Sequence, residues 1–267
     1  MRAPRLVATD LDGTLLRSDG TVSERTARLL ADVEQAGVHV VFVTARPPRW
    51  LDALAGIVAG HGTAICGNGA FVYAVASREV VTVHGFEHGE VQDVIRDLRA
   101  SVPGTAFAAE RASGLWSEPG FPHGPGHPLP DDHVERPIEQ LSGELVGKLL
   151  ARSRVLAEGE FLAAVADVVG ERGQVAYSGA GGLAEISAPG VTKAATLERW
   201  AAALGIGAED VWAVGDMPND LPLLEWAGVG WAVGNAHPDV LAAASRRCAA
   251  NDDDGVADVL ERVLEMV

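Results

Sequence analysis

Lysine is scarce in this chain: only Lys148 and Lys193 stand against 19 arginines in 267 residues. Cysteine is as rare, Cys66 and Cys248 alone, in no metal-ligand spacing. That excludes a disulfide framework and a thiolate zinc centre, and the two read as ordinary buried thiols. Basic charge is outweighed, 21 Lys and Arg against 37 Asp and Glu, for a net −16. Such a surface repels polyanions, so a general nucleic-acid partner is not expected. It repels small phosphate esters too, so a phosphate site here must be made locally positive. No apolar run approaches the roughly 18 residues that cross a bilayer. The opening MRAPRLVATD lacks the apolar stretch of a secretion signal. The expectation is a cytoplasmic protein with no membrane partner.

What is present is a core. Hydrophobic residues make up 48%. Three short apolar runs end abruptly in polar residues: Leu6-Val7-Ala8 before Thr9-Asp10, Val38 to Val43 before Thr44, and Val211 to Val214 before Gly215-Asp216. Followed by helical patterns, they read as buried parallel strands of an α/β sheet. A fourth, Ala64 to Cys66, ends at Gly67-Asn68-Gly69. The first helix is expected from an N-cap at Ser23 to about Ala36, with Gly37 as its stop. In open α/β sheets ligands gather at the carboxyl ends of strands, so polar residues at several such ends are candidates for one site.

Between about residues 84 and 186 the pattern changes. Helices are expected near Glu90–Ser101 and Gly159–Gly170. Strands are expected near Thr105–Ala109 and Glu144–Leu150, with a hairpin of Gln174–Ser178 and Leu183–Ser187. Residues 113–130, dense in Gly and Pro, are expected to be irregular. The fold class is therefore α/β, a Rossmann-like parallel-sheet core over 1–83 and 187–267 with an inserted α+β domain over 84–186. The α/β pattern then resumes: helix 192–204, strand 211–214, helix 219–226, a strand near 229–233 and a last helix from Gly255.

Four constellations carry chemistry. Asp10 and Asp12, one residue apart at a strand end and turn, can reach one small volume. One would attack phosphorus while the other handles a proton. A calcium loop would need Glu at its twelfth position, which is Thr21. Thr44 stands where a strand gives way to a helix, either as a structural threonine or with its hydroxyl and following N–H groups on a phosphate oxygen. Lys193 stands at a helix start, unfavourable for the dipole unless it neutralises an anion; a solvated lysine is the alternative. Asp216 and Asp220 in Gly215-Asp216-Met217-Pro218-Asn219-Asp220 are spaced to turn toward a cation beside Asp10. Hard Mg2+ suits carboxylates and phosphate, and no His/Cys set for zinc accompanies them.

In chain order, Asp10-Leu11-Asp12-Gly13-Thr14, Val43-Thr44-Ala45-Arg46, Thr192-Lys193 and Gly215 to Asp220 resemble the haloacid dehalogenase superfamily of phosphohydrolases. The longer pattern resembles its Cof-type sugar-phosphatase branch, with a large cap inserted between the second and third motifs. Gly67 to Ala70, Gly234-Asn235-Ala236 and Asn251 to Ala257 are further echoes. The resemblance implies Asp10 as the nucleophile that forms an aspartyl-phosphate and Asp12 as general acid, then base. It implies Thr44, Ala45, Lys193 and Asn219 on the phosphate. It also implies Mg2+ held by Asp10, the Asp12 backbone carbonyl and Asp216, with Asp220 orienting Lys193 or a metal-bound water. Ala45, where glycine is common, and Val233, where methionine is usual, are departures. The substrate expected is a small phosphorylated metabolite, sugar- or polyol-phosphate-like, and the protein a monomer or homodimer. A phosphomutase, a catalytically silent binding protein and a receiver-type signalling module compete with that reading. In the cap, Glu110, Arg111 and the 113–130 loop, with Trp116 and Phe121, are candidates for leaving-group contact. His123, His127 and His133 read as solvated loop residues rather than a metal cluster.

Overall fold

The computed structural model describes residues 2–51, 62–123, 129, 133–176 and 181–267. The chain divides into two compact units: residues 1–46, 50–81 and 193–267, and residues 47–49 with 82–192.

The first unit contains β1 (Leu6–Thr9), α1 (Glu24–Gln35), β2 (His39–Val43), β3 (Thr63–Cys66), β4 (Phe71–Ala74) and β5 (Glu79–Val83). The second contains α2 (His88–Ser101), β6 (Thr105–Arg111), β7 (Gly114–Ser117), β8 (Val134–Glu135), β9 (Lys148–Ser153), α3 (Glu158–Val169), β10 (Gln174–Ala176) and β11 (Leu183–Ser187). The chain then returns to the first with α4 (Lys193–Ala203), β12 (Val211–Gly215), α5 (Leu221–Trp226), β13 (Val229–Ala232), α6 (Pro238–Ala243), β14 (Arg246–Arg247) and α7 (Gly255–Leu264).

In the first unit an eight-stranded sheet runs β14-β13-β12-β1-β2-β3-β4-β5. It is parallel from β14 to β3, and β4 turns back antiparallel. The expected α/β class holds. β1 and β12 are buried along their whole length, as strands covered on both faces must be. β2 and β3 extend the sheet to one side of β1, and β12 to β14 extend it to the other. The switch point therefore lies at the carboxyl ends of β1 and β12, where Asp10 and Asp216 follow. α1 starts as expected at Ser23, whose side chain accepts from the Thr26 N–H. Gly37 ends it at φ +84. Arg25 ties α1 to α7 through Asp258 and Glu261, at 3.0 and 2.7 Å.

The second unit is a six-stranded sheet, β10-β11-β9-β6-β7-β8, antiparallel except between β7 and β8. Its helices α2 and α3 pack on each other, α2 also on β6 and α3 on β10 and β11. Here the structure corrects two expectations. Gly114–Ser117 is a strand, because Leu115 and Trp116 are buried on pairing with β6. The strand read over 144–150 begins only at Lys148. Residues 177 and 178 of the expected hairpin, and residues 124–128 and 130 of the expected loop with His127, lie outside the described residues.

Removing the Ser23 cap should cost about 1 kcal/mol. Ser23→Ala is thus expected to lower the denaturation midpoint and Ser23→Asp to retain it, measured by urea unfolding. Equal losses in both would show that the cap hydrogen bond contributes nothing.

Candidate active site

Asp10 leaves β1 directly after Thr9, and its carboxylate is almost wholly buried. Lys193, the first residue of α4, sends its Nζ to Asp10 Oδ1 and Asp220 Oδ1, both at 2.7 Å. An ammonium unfavourably placed for the helix dipole is thus held by two carboxylates. Asp220 is fully buried, and its Oδ2 also accepts from the backbone N–H groups of Asp216 and Met217, each at 3.2 Å. Its oxygens are therefore largely committed within the fold. Asp216 follows β12, and its Oδ1 accepts from Thr14 Oγ1 at 3.0 Å. Ligand atoms of Asp10, Asp216 and Asp220 lie within 4.8 Å of one another. With Asp220 committed to Lys193 and the backbone, the carboxylates of Asp10 and Asp216 remain as hard oxygen donors that fit a divalent cation of the Mg2+ type.

Two glycines make this convergence sterically possible. A Cβ on Gly13, at φ +76, would sit 2.5 Å from Asp216 Oδ2. One on Gly215 would sit 2.7 Å from the Asp220 Cβ.

The electrostatics follow from the count of charges. Burial pushes the Asp10 carboxyl well above its ordinary value; Lys193 opposes this, while Asp220 and Asp216 add to it. Burial pulls Lys193 down, but Asp10 and Asp220 together more than reverse it, so its proton is held above the usual lysine range. Asp216 is pushed up to about 6, by burial first and Asp220 second. Burial raises the affinity of these carboxyls for protons, and one ammonium among three carboxylates leaves that rise uncancelled.

Asp12 behaves differently. Its side chain is 59% exposed, and Arg46 grips both its oxygens, Nε to Oδ2 at 2.8 Å and Nη2 to Oδ1 at 2.6 Å. Asp12 therefore lies outside the three-carboxylate cluster, and Arg46 is a partner that the motif reading quoted without assigning a role. Thr44 is buried at the end of β2 and its Oγ1 accepts from the Arg46 N–H at 3.1 Å. β1 and β2 pair Thr9 with Phe42, so Asp10 and Thr44 leave neighbouring strand ends. Ala45 and Asn219 are half-buried beside Thr44 and Asp220 in the chain. Glu110 and Arg111 belong to the second unit. Glu110 is buried and paired with Arg49 at 2.7 Å, and Arg111 meets Glu144 at 3.3 Å and stacks over Trp116. His133 hydrogen-bonds Ser117 at 2.8 Å, its ring 5.7 Å from that of His123.

Over residues 7–260 the chain matches the haloacid dehalogenase-like hydrolase family. A 5-amino-6-(5-phospho-D-ribitylamino)uracil phosphatase of Bacillus subtilis is 28% identical, with 98% of each chain covered. A phosphoglycolate phosphatase of Methanopyrus kandleri is 29% identical, again over 98% of each. Among solved structures, that of SMU.1108c from Streptococcus mutans superposes with a TM-score of 0.81 at 22% identity, covering 98% of this chain and 99% of the other.

The raised Asp216 carboxyl generates a pH test. In the folded chain it binds a proton below about pH 6, whereas unfolded it releases it near 3.8. The fold therefore loses this contribution as pH rises from about 4 through 6, and the cost is complete above 6. In chelator, the melting temperature of wild type relative to Asp216→Asn should fall across that window. Parallel curves from pH 4 to 7 would contradict the electrostatic picture.

Proposed function

The chain belongs to the haloacid dehalogenase-like hydrolases. We propose that it is a Mg2+-dependent phosphatase acting on a small phosphorylated metabolite, a sugar- or polyol-phosphate-like monoester, through an aspartyl-phosphate on Asp10. The observation that carries this is the buried Asp10 carboxylate, held by Lys193 at 2.7 Å within a three-aspartate cluster at the switch point of a parallel sheet. The names of the two relatives support the same chemistry.

Asp10 would attack phosphorus, and the ester oxygen would leave with a proton from Asp12. Water activated by Asp12 then opens the aspartyl-phosphate, freeing phosphate and restoring Asp10. Lys193, Thr44 Oγ1, the backbone N–H groups near Ala45, and Asn219 would take the equatorial oxygens, because phosphoryl transfer asks chiefly for positioning and charge neutralisation. Asp10, the Asp12 carbonyl and Asp216 would hold Mg2+, which when bound offsets the repulsion between nucleophile and phosphoryl oxygens. Asp220, with its oxygens given to Lys193 and the backbone, would orient the lysine. Arg46, which bonds both Asp12 oxygens, would orient that carboxylate.

Turnover of an aryl phosphate is expected with Mg2+, lost in chelator and recovered with Mg2+. Recovery with Zn2+ but not Mg2+ would overturn the metal assignment. Asp10→Asn is expected to reduce turnover to background without changing the melting curve much. With Asp12→Asn, phospho-enzyme should accumulate; trapping with hydroxylamine and peptide mapping should put the label on Asp10, and label on another residue would sink the mechanism.

A further inference from the structure

Asn235 is an exposed residue whose amide is nonetheless spent at both ends on backbone. Its Nδ2 donates to the Gly13 carbonyl at 2.7 Å, and its Oδ1 accepts from the Asn251 N–H at 2.9 Å. Asn251 is itself buried and donates from Nδ2 to the Leu16 carbonyl at 2.9 Å. The same turn continues the grip: Asp252 accepts from the Ser18 N–H at 2.8 Å and Oγ at 2.7 Å, and Asp254 from Arg17 at 2.8 Å. The segment so held, 13–18, directly follows Asp10 and Asp12. Gly13 is its critical point, since its Cα approaches Asp216 too closely for a side chain and the next residue, Thr14, donates to that same carboxylate.

We propose that Asn235 is a positioning residue for the loop that carries Asp10 and Asp12, acting through the Gly13 carbonyl and anchored by the 251–254 turn. The proposal rests on the phosphatase reading of that loop. Asn235 fixes one face of the Gly13 unit, while the Asp216 carboxylate limits the other. Asn235 thus holds the Gly13–Thr14 peptide, and with the Gly13 backbone confined by Asp216 this restrains the Asp12–Gly13 peptide one Cα away, whose carbonyl is among the oxygens assigned to the cation. An exposed hydrogen bond adds little to global stability, so its loss is felt in placement.

The test uses the full chain with Asn235→Ala and Asn235→Asp. The aspartate keeps the size and accepts from Asn251 but cannot donate to Gly13. Both variants should lose roughly 10–100-fold in kcat on an aryl phosphate, the range for residues that orient ligands from behind. KM should change little. Mg2+ affinity, read by calorimetry without substrate, should weaken in both, with melting temperatures near wild type. Asn251→Ala should repeat the pattern with an added loss of melting temperature. Wild-type kcat and Mg2+ affinity in both Asn235 variants would overturn the proposal. So would a defect in Asn235→Ala that Asn235→Asp repairs, because donation to the Gly13 carbonyl would then be dispensable. If wild type itself turns over no aryl phosphate, the phosphatase reading fails, and the Mg2+ titrations still decide the positioning role.

Discussion

The structure of the first unit turns on one buried ammonium. Lys193 lies between Asp10 and Asp220, 2.7 Å from each, and it is the only lysine among the described residues of that unit. Without it, three carboxylates from two strand ends would converge with nothing to offset them. With it, the balance is still negative, and Asp10 and Asp216 hold protons more tightly than ordinary carboxylates do. A cluster left so short of positive charge is disposed to accept a cation. The requirement for close approach propagates outward to Gly13 and Gly215, where any side chain would strike an aspartate. It extends further to the asparagines and aspartates of 235 and 251–254, which hold the first loop in register with the second.

Much of this was legible in the sequence, for a physical reason. Buried parallel strands are largely apolar, so Asp10, Thr44 and Asp216 announce themselves as polar residues after short apolar runs, though all three are buried in the fold. The scarcity of lysine made Lys193 conspicuous. The Ser23 cap and Gly37 stop were equally plain, because both are local in the chain. Less visible was anything decided by tertiary pairing. Gly114–Ser117 sits in Gly/Pro-rich sequence, yet β6 offers it a ladder and a buried place for Trp116. The Asp12–Arg46 pair joins positions 34 residues apart and leaves no local pattern. The roles of Asp252 and Asp254 are of the same kind, since they accept from Ser18 and Arg17 more than 230 residues away.

The inserted unit shows the opposite economy of charge. Lys148, the other lysine, is buried against Glu185 at 2.9 Å, and Arg49 against Glu110 at 2.7 Å. Buried pairs of this kind add little net stability but are costly to break singly. They also leave these groups fixed in orientation, so Glu110 and Arg111 stand in this sheet as members of ion pairs rather than as extended, mobile side chains.

The pairings that complete the site span most of the chain: 183 residues separate Asp10 from Lys193, 202 separate Thr14 from Asp216, and 235 separate Leu16 from Asn251. During synthesis the first loop therefore emerges long before any of its partners. β1 waits for β12, leaving one edge of a strand buried in the finished fold unpaired until residue 211 is made. Contacts this distant in sequence form late, since the closure entropy precedes the reward. A ribosome-bound chain would thus carry an assembled inserted unit, all of whose strands lie within 82–192, before Asp10 met Asp216 and Asp220. The turn 251–254 that grips the first loop is among the last segments made, and the interval before it is one in which a chaperone has something to shield.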